Sequence, residues 1–193
     1  MPQTTHHPVL LEETIRLLGC RPGGRWVDGT AGGGGHAEAI LRATAPDGLL
    51  LGCDRDAGSL ERVRERLRPW ADRTVLRHAD FRTLPALLDE AGWDAADGIL
   101  LDLGLSSLQL EDGERGFSFR TDGPLDMRMD RSHGRTAADL IRTLTEPELV
   151  AMLRTLGEEP AARAIARAIV ARRAEGPIAT TGRLAEIITG AVG

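Results

Sequence analysis

Three aspartates close short apolar runs in this chain: Asp28 ends Arg25-Trp26-Val27, Asp54 ends Leu49-Leu50-Leu51-Gly52-Cys53, and Asp102 ends Gly98-Ile99-Leu100-Leu101. Between the first two lies Gly29-Thr30-Ala31-Gly32-Gly33-Gly34-Gly35-His36, a glycine-rich turn that opens into a helix-forming stretch. Backbone without side chains can approach a ligand closely there, beside the partly positive start of a helix, so the pattern predicts a nucleotide-type ligand. Asp54 follows Gly35 at the spacing of about 20 residues from which an acid accepts from a ribose hydroxyl pair; the plainer reading is a cap on the helix that begins near Asp56. A carboxylate at Asp28 would repel a diphosphate and suits the ammonium of a methionine moiety. That favours S-adenosylmethionine over a dinucleotide. Phe81, after the third apolar run, would flank an adenine, with Asp80 accepting from its amino group; ordinary core packing is the other role open to Phe81. Asp102, followed by Gly104 and the paired Ser106 and Ser107, falls where a methyl acceptor would sit.

These residues need a frame. Strands are expected at Arg25–Asp28, Leu49–Asp54, Thr74–His78 and Gly98–Asp102, with helices at 36–43, 57–68 and around Leu84, Leu87 and Leu88 between them. Strands alternating with helices predict an α/β fold, a parallel sheet with helices on both faces. A helix over 8–18, capped by Gly19, precedes the first strand. After Leu105 the rhythm changes. Residues 106–135 are rich in Gly, Asp, Arg and Phe and show no period, a length of irregular chain that is uncommon unless it works as a site or is disordered. Helices are then expected at 137–144, 146–156, 159–174 and 182–191, with Thr145 and Glu148 forming a capping box. Four strands make half of a doubly wound sheet, and the last would have an open hydrophobic neighbour position. Either the sheet is small or the chain stops before the fold is complete.

Composition narrows the function classes. Among 193 residues all 24 basic side chains are arginine, against 29 acids, for a formal net charge of −5. An acidic domain is a poor ligand for naked nucleic acid through phosphate neutralisation alone. Tyrosine is absent, so any base stacking rests on Phe or Trp. Cys20 and Cys53 are too few and too far apart for a disulfide framework or a zinc site, and adjacent His6 and His7 lack further ligands nearby, so no metal site is expected. No apolar run approaches the ~18 residues of a membrane span, and the N-terminus has no basic region followed by an apolar signal core. A cytoplasmic protein with no membrane partner is expected, its oligomeric state open.

The residues resemble the bacterial small-subunit ribosomal RNA cytosine-N4 methyltransferases (the RsmH/MraW family). The likeness is carried by His6-x-Pro8-Val9-Leu10-Leu11-x-Glu13, Asp28-Gly29-Thr30-x-Gly32-x-Gly34-Gly35-His36 and Asp54-Arg55-Asp56. It continues in Leu100-Leu101-Asp102-Leu103-Gly104-x-Ser106-Ser107-x-Gln109-Leu110 and Glu114-Arg115-Gly116-Phe117-Ser118-Phe119. Asp122-Gly123-Pro124-Leu125-Asp126-Met127-Arg128-Met129, Gly157-Glu158-Glu159 and Ile165-Ala166-Arg167-Ala168-Ile169-Val170 complete it. The resemblance implies a Rossmann-like class I methyltransferase sheet interrupted by a small inserted helical domain. Residues 1–105 would be the cofactor-binding core, its sheet incomplete, and 106–193 a connecting loop and substrate-recognition insertion. The chain would then be a C-terminally truncated member. Contacts to S-adenosylmethionine carry over to Gly34, Gly35, His36, Asp54, Phe81, Asp102 and Gln109, beside the Asp28 read from the residues themselves.

The reaction so implied is methylation of the exocyclic N4 of a cytidine in 16S rRNA near the decoding centre, with the small ribosomal subunit as partner. The amine is conjugated into its ring and is a poor nucleophile, so an acceptor for its N–H groups is needed, and Asp102 is the candidate catalytic residue. Phe117 and Phe119 would serve as base platforms or as core. Arg115 and a helix carrying Arg163, Arg167, Arg172 and Arg173 are candidates for RNA phosphates, with a solvated helix face as the plainer reading of the latter. Two other readings stay open: a methyltransferase acting on another amine, in DNA or a small molecule, and a silent cofactor-binding or docking module.

Overall fold

The computed structural model describes residues 8–193, so His6 and His7 lie outside it. The chain divides into two compact units between Ser106 and Ser107. The first begins with α1 (Leu11–Leu18), closed by left-handed Gly19, and continues through β1 (Arg25–Asp28), α2 (Gly35–Ala43), β2 (Leu49–Asp54), α3 (Ala57–Arg66), β3 (Thr74–His78), α4 (Leu84–Glu90) and β4 (Gly98–Leu100). All pairings are parallel, in the order β3-β2-β1-β4.

β1 therefore lies at the centre, and its alternation sorts the core. Trp26 and its register partner Leu50 pack with Ala37, Ile40 and Leu41 of α2 and with Val63 and Leu67 on one face. Val27 and Leu51 point the other way, with Cys53, onto Leu84, Leu87 and Trp93. Both faces of β1 are fully covered, as a run without polar alternation requires in a parallel sheet. β4 lies at the sheet's edge, and Ile99 is 49% exposed.

The second unit contains α5 (Ser107–Glu111), α6 (Ala137–Thr143), α7 (Glu146–Gly157), α8 (Ala162–Glu175) and α9 (Thr181–Val192). Leu149, Ile165, Ala166, Ile169 and Ile187 form its core. Both Thr136–Asp139 and Thr145–Glu148 close complete capping boxes at the starts of α6 and α7. α8 begins at Ala162 rather than 159. Glu158 ends α7 in a left-handed conformation, and the Glu159 carboxylate accepts the Ala161 N–H, so the chain turns before it can helicate again.

The segment expected to be irregular holds α5 and a single 3-10 turn at Gly113–Arg115. Beyond these its order comes from polar contacts and from Leu125, which is buried in the unit's core. The Arg115 guanidinium donates to the carbonyls of Arg128 and Met129, and Asp126 is clamped by the backbone and side chain of Arg128. Leu125 N–H donates to Ala179 and Thr181 N–H to Gly123, pinning the segment ahead of α9. Arg173, grouped above with the RNA-facing arginines, is corrected: its guanidinium donates to the carbonyls of Ile141 and Leu144 and so closes the C-terminus of α6.

Among the described residues no helix is long and apolar enough to cross a membrane. Leu149 is fully buried, so Leu149→Ala is expected to destabilise the helical unit by about 2–5 kcal/mol. Urea denaturation followed by circular dichroism checks this; a loss below about 1 kcal/mol contradicts the packing described.

Candidate functional site at the carboxyl ends of the strands

Parallel strands place their carboxyl ends, and hence Asp28, Asp54 and the Asp102 segment, along one edge of the sheet. The backbone bonds of the sheet continue into the glycine turn: Gly29 N–H donates to Leu100 and Ala31 N–H to Cys53. β4 and β2 thus hold the turn from either side. Gly29 is the tight point. A Cβ there would lie 2.5 Å from Leu101 Cδ2 and 3.1 Å from Phe81 Cβ.

Asp28 is 1% exposed. Its Oδ1 accepts the Thr30 N–H at 3.1 Å. Burial pushes the carboxyl up to about 7; the Thr30 bond opposes this, and the charges of Asp54 and Asp102 add to it. A buried acid that keeps its proton to near neutrality is a candidate for pairing with a cation or exchanging a proton.

Asp54 has a structural task as well. Its two oxygens accept from Gly32 N–H at 2.7 Å and Asp56 N–H at 2.8 Å. Asp56 caps α3 through Gly58. Each Asp54 oxygen keeps a second lone pair, which leaves capacity for a hydroxyl pair. Gly33 faces open space, since a Cβ there would meet nothing within 4 Å, while Gly32 takes φ +51° with the Thr30 carbonyl oxygen 3.5 Å from where a Cβ would lie. Gly34 and Gly35 are different. Gly34 takes φ +77° against Arg66 and Val63, and a Cβ on Gly35 would lie 2.2 Å from Pro8 Cγ, so these two admit neighbouring chain.

His36, on the first turn of α2, is buried, with Nε2 3.1 Å from the Val9 carbonyl and Nδ1 3.9 Å from Asp102 Oδ2. Phe81 is half-buried and packs beside Val27, Leu51 and Leu84. The Asp80 carboxylate is held by the Arg82 side chain and N–H and by Arg55, which keep it below the usual carboxylate range. Asp102 is exposed, while its backbone N–H donates to Thr30 Oγ1 at 2.7 Å. Thr30 is the residue sequence reasoning passed over. Its N–H donates to the Asp28 carboxyl and its hydroxyl accepts the Asp102 backbone N–H, joining the ends of β1 and β4. Its place after Asp28-Gly29 gave no signal by itself, because the tie depends on how β4 pairs with β1.

The remaining candidates lie in the second unit. Gln109 is buried there, its amide 3.6 Å from Met129 Sδ. Arg115 is buried over the Phe117 ring, whereas Phe119 is 75% exposed. Arg163 and Arg167 are exposed on α8, and Arg172 pairs with Glu175.

A parallel sheet in the order β3-β2-β1-β4, with a glycine turn after the central strand and acids at the ends of β1 and β2, defines a Rossmann-like class I methyltransferase core. Within that class the assignment is specific. The model described as the MraW methylase family matches residues 3–193, and the chain belongs to that family. A relative from Syntrophobacter fumaroxidans named ribosomal RNA small subunit methyltransferase H is 51% identical over 191 residues, covering 99% of this chain and 60% of its own length. One of the same name from Geotalea uraniireducens is 52% identical over 187 residues, covering 97% and 60%. The chain thus spans about 60% of the length of these relatives. Among solved structures, a SAM-dependent O-methyltransferase from Thermotoga maritima is 18% identical with a TM-score of 0.34, covering 36% of this chain and 27% of the other.

Asp28 yields a pH prediction. In the unfolded chain its carboxyl deprotonates near 4, whereas the folded chain keeps the proton to about 7. Between these values the folded state binds more protons, so its stability falls as pH rises from about 4 to about 7. The loss has an upper bound of about 4 kcal/mol, and Asp28→Asn should remove it. Urea midpoints at pH 5 and pH 7.5 for both proteins measure the difference; an equal decline in the variant contradicts it.

Proposed function

We propose that this chain carries the S-adenosylmethionine site of a methyltransferase that acts on the N4 amine of a cytidine in small-subunit (16S) rRNA, in the decoding centre. The observation that carries the reading is the buried Asp28 carboxyl, poised near neutrality at the head of a glycine turn whose Gly33 faces open space. The names of the relatives support the RNA substrate.

The donor set fits this cofactor on its own chemistry. When bound, S-adenosylmethionine supplies an electrophilic methyl group on a cationic sulfur. Asp28 is the counter-charge for the methionine ammonium, and the low dielectric around it makes that pairing stronger than at a surface. Asp54 offers its remaining lone pairs to the ribose hydroxyls. Phe81 lends an apolar ring edge to the adenine, and the backbone of Gly34, Gly35 and His36 closes the turn.

Asp102 is the proposed acceptor for the N–H groups of the target amine. Accepting them draws the nitrogen lone pair out of conjugation and toward the methyl group. The Thr30 hydroxyl fixes its backbone, and the side chain, 56% exposed, lies beside His36. On the second unit, Phe119 is an exposed platform for a base and Arg163 and Arg167 are cations for phosphate. Arg115 and Phe117 shape the segment from which Phe119 projects. Net acidity favours an assembled small subunit over free RNA, because its shape and proteins add contacts beyond phosphate.

Transfer of a tritiated methyl group to assembled small subunits, bare rRNA and DNA tests the reading. Label is expected in the subunits, at cytidine N4, and label confined to DNA or absent from all three contradicts it. In the same assay Phe119→Ala is expected to lower transfer by about 5- to 100-fold. An unchanged rate removes Phe119 from the RNA surface.

A further inference from the structure

His36 and Asp102 face each other at the carboxyl end of the sheet. The His36 ring is 8% exposed, and its Nε2 lies 3.1 Å from the Val9 carbonyl oxygen. A carbonyl only accepts, so the ring proton belongs on Nε2 and the neutral imidazole keeps a bare lone pair on Nδ1. That nitrogen is 3.9 Å from Asp102 Oδ2. In that tautomer Nδ1 and the Asp102 carboxylate oxygen are both acceptors, so a proton arriving at either can be shared with the other. The Asp102 side chain is 56% exposed, so a small rotation brings its carboxyl into hydrogen-bond range, as catalytic contacts often tighten only in the reacting complex.

Methylation of an exocyclic amine must shed a proton. A bond forms between nitrogen and the methyl carbon as the carbon–sulfur bond breaks, its electron pair returning to sulfur. The positive charge passes to nitrogen, and one N–H proton has to leave. We propose that His36 Nδ1 is where that proton goes after Asp102: the carboxylate takes it from the amine and hands it to the imidazole. Asp102 is restored as an anion beside the imidazolium, which is held by Val9 on one side and Asp102 on the other until the proton passes to water. This rests on the reading that Asp102 faces the amine. His36 acts through Asp102, as a positioning residue that also stores the proton.

Glutamine separates this role from a structural tie. Its amide can still donate to the Val9 carbonyl but offers no base in place of Nδ1. Turnover at saturating S-adenosylmethionine, with small subunits as acceptor, is expected to fall at least tenfold in His36→Gln, and unchanged turnover overturns the proposal. Nitrogen-15 resonances of the His36 ring are recorded in parallel and need no turnover. The expected result is a proton on Nε2 and an unprotonated Nδ1 whose signal moves in Asp102→Asn. A neutral ring protonated on Nδ1, or an Nδ1 signal indifferent to Asp102→Asn, overturns the proposal. A chain that shows this coupling but methylates no small subunit contradicts the functional reading and leaves the His36–Asp102 couple standing.

Discussion

A carboxyl group buried at the end of the central strand is the constraint on which the first unit depends. Asp28 sits on β1 between β4 and β2, and the turn that follows it is hydrogen-bonded to both neighbours. The sheet cannot shift β1 by one residue without exchanging Trp26 and Val27 between two filled faces. Core packing therefore fixes where the acid lies, and the same packing strips it of water. A position that is costly for an anion is inexpensive for a neutral acid, and the fold tolerates Asp28 because its proton is retained up to about 7. A bound cation would replace that proton.

The acids around it divide the labour. Asp54 holds the glycine turn against α3 through Gly32 and Asp56, so its place is set before any ligand arrives. Asp102 is anchored through its backbone by Thr30, and its more exposed side chain faces His36. A fixed acid suits recognition and a more exposed one suits proton transfer. Thr30 joins the two ends of the site, and loss of its hydroxyl would release the Asp102 segment without touching any ligand-facing atom.

Much of this was legible in the sequence because it is local. Apolar runs ending in Asp28 and Asp54 become strands with those limits, and the glycine turn follows β1. What escaped notice depends on distant partners. Five-residue α5 is too short to show a period, and the ordering of 112–129 comes from Arg115 reaching carbonyls more than ten residues away. Arg173 looked like a member of a basic face because the carbonyls it caps lie about 30 residues earlier, in α6. Thr30 and Phe119 show both sides of the limit. A hydroxyl's partner is set by strand order, and the difference between Phe117 under Arg115 and an exposed Phe119 is set by the course of a loop.

The central claim, that Asp28 exchanges its proton for the ammonium of a bound donor, has a direct thermodynamic signature. Calorimetric titration with S-adenosylmethionine at pH 7, in two buffers of different ionisation enthalpy, counts the protons released on binding. Since the Asp28 carboxyl stands near half-protonation at that pH, wild type should release about half a proton more per donor bound than Asp28→Asn. Equal proton release in the two proteins, with both binding the donor at the same affinity, would contradict the account.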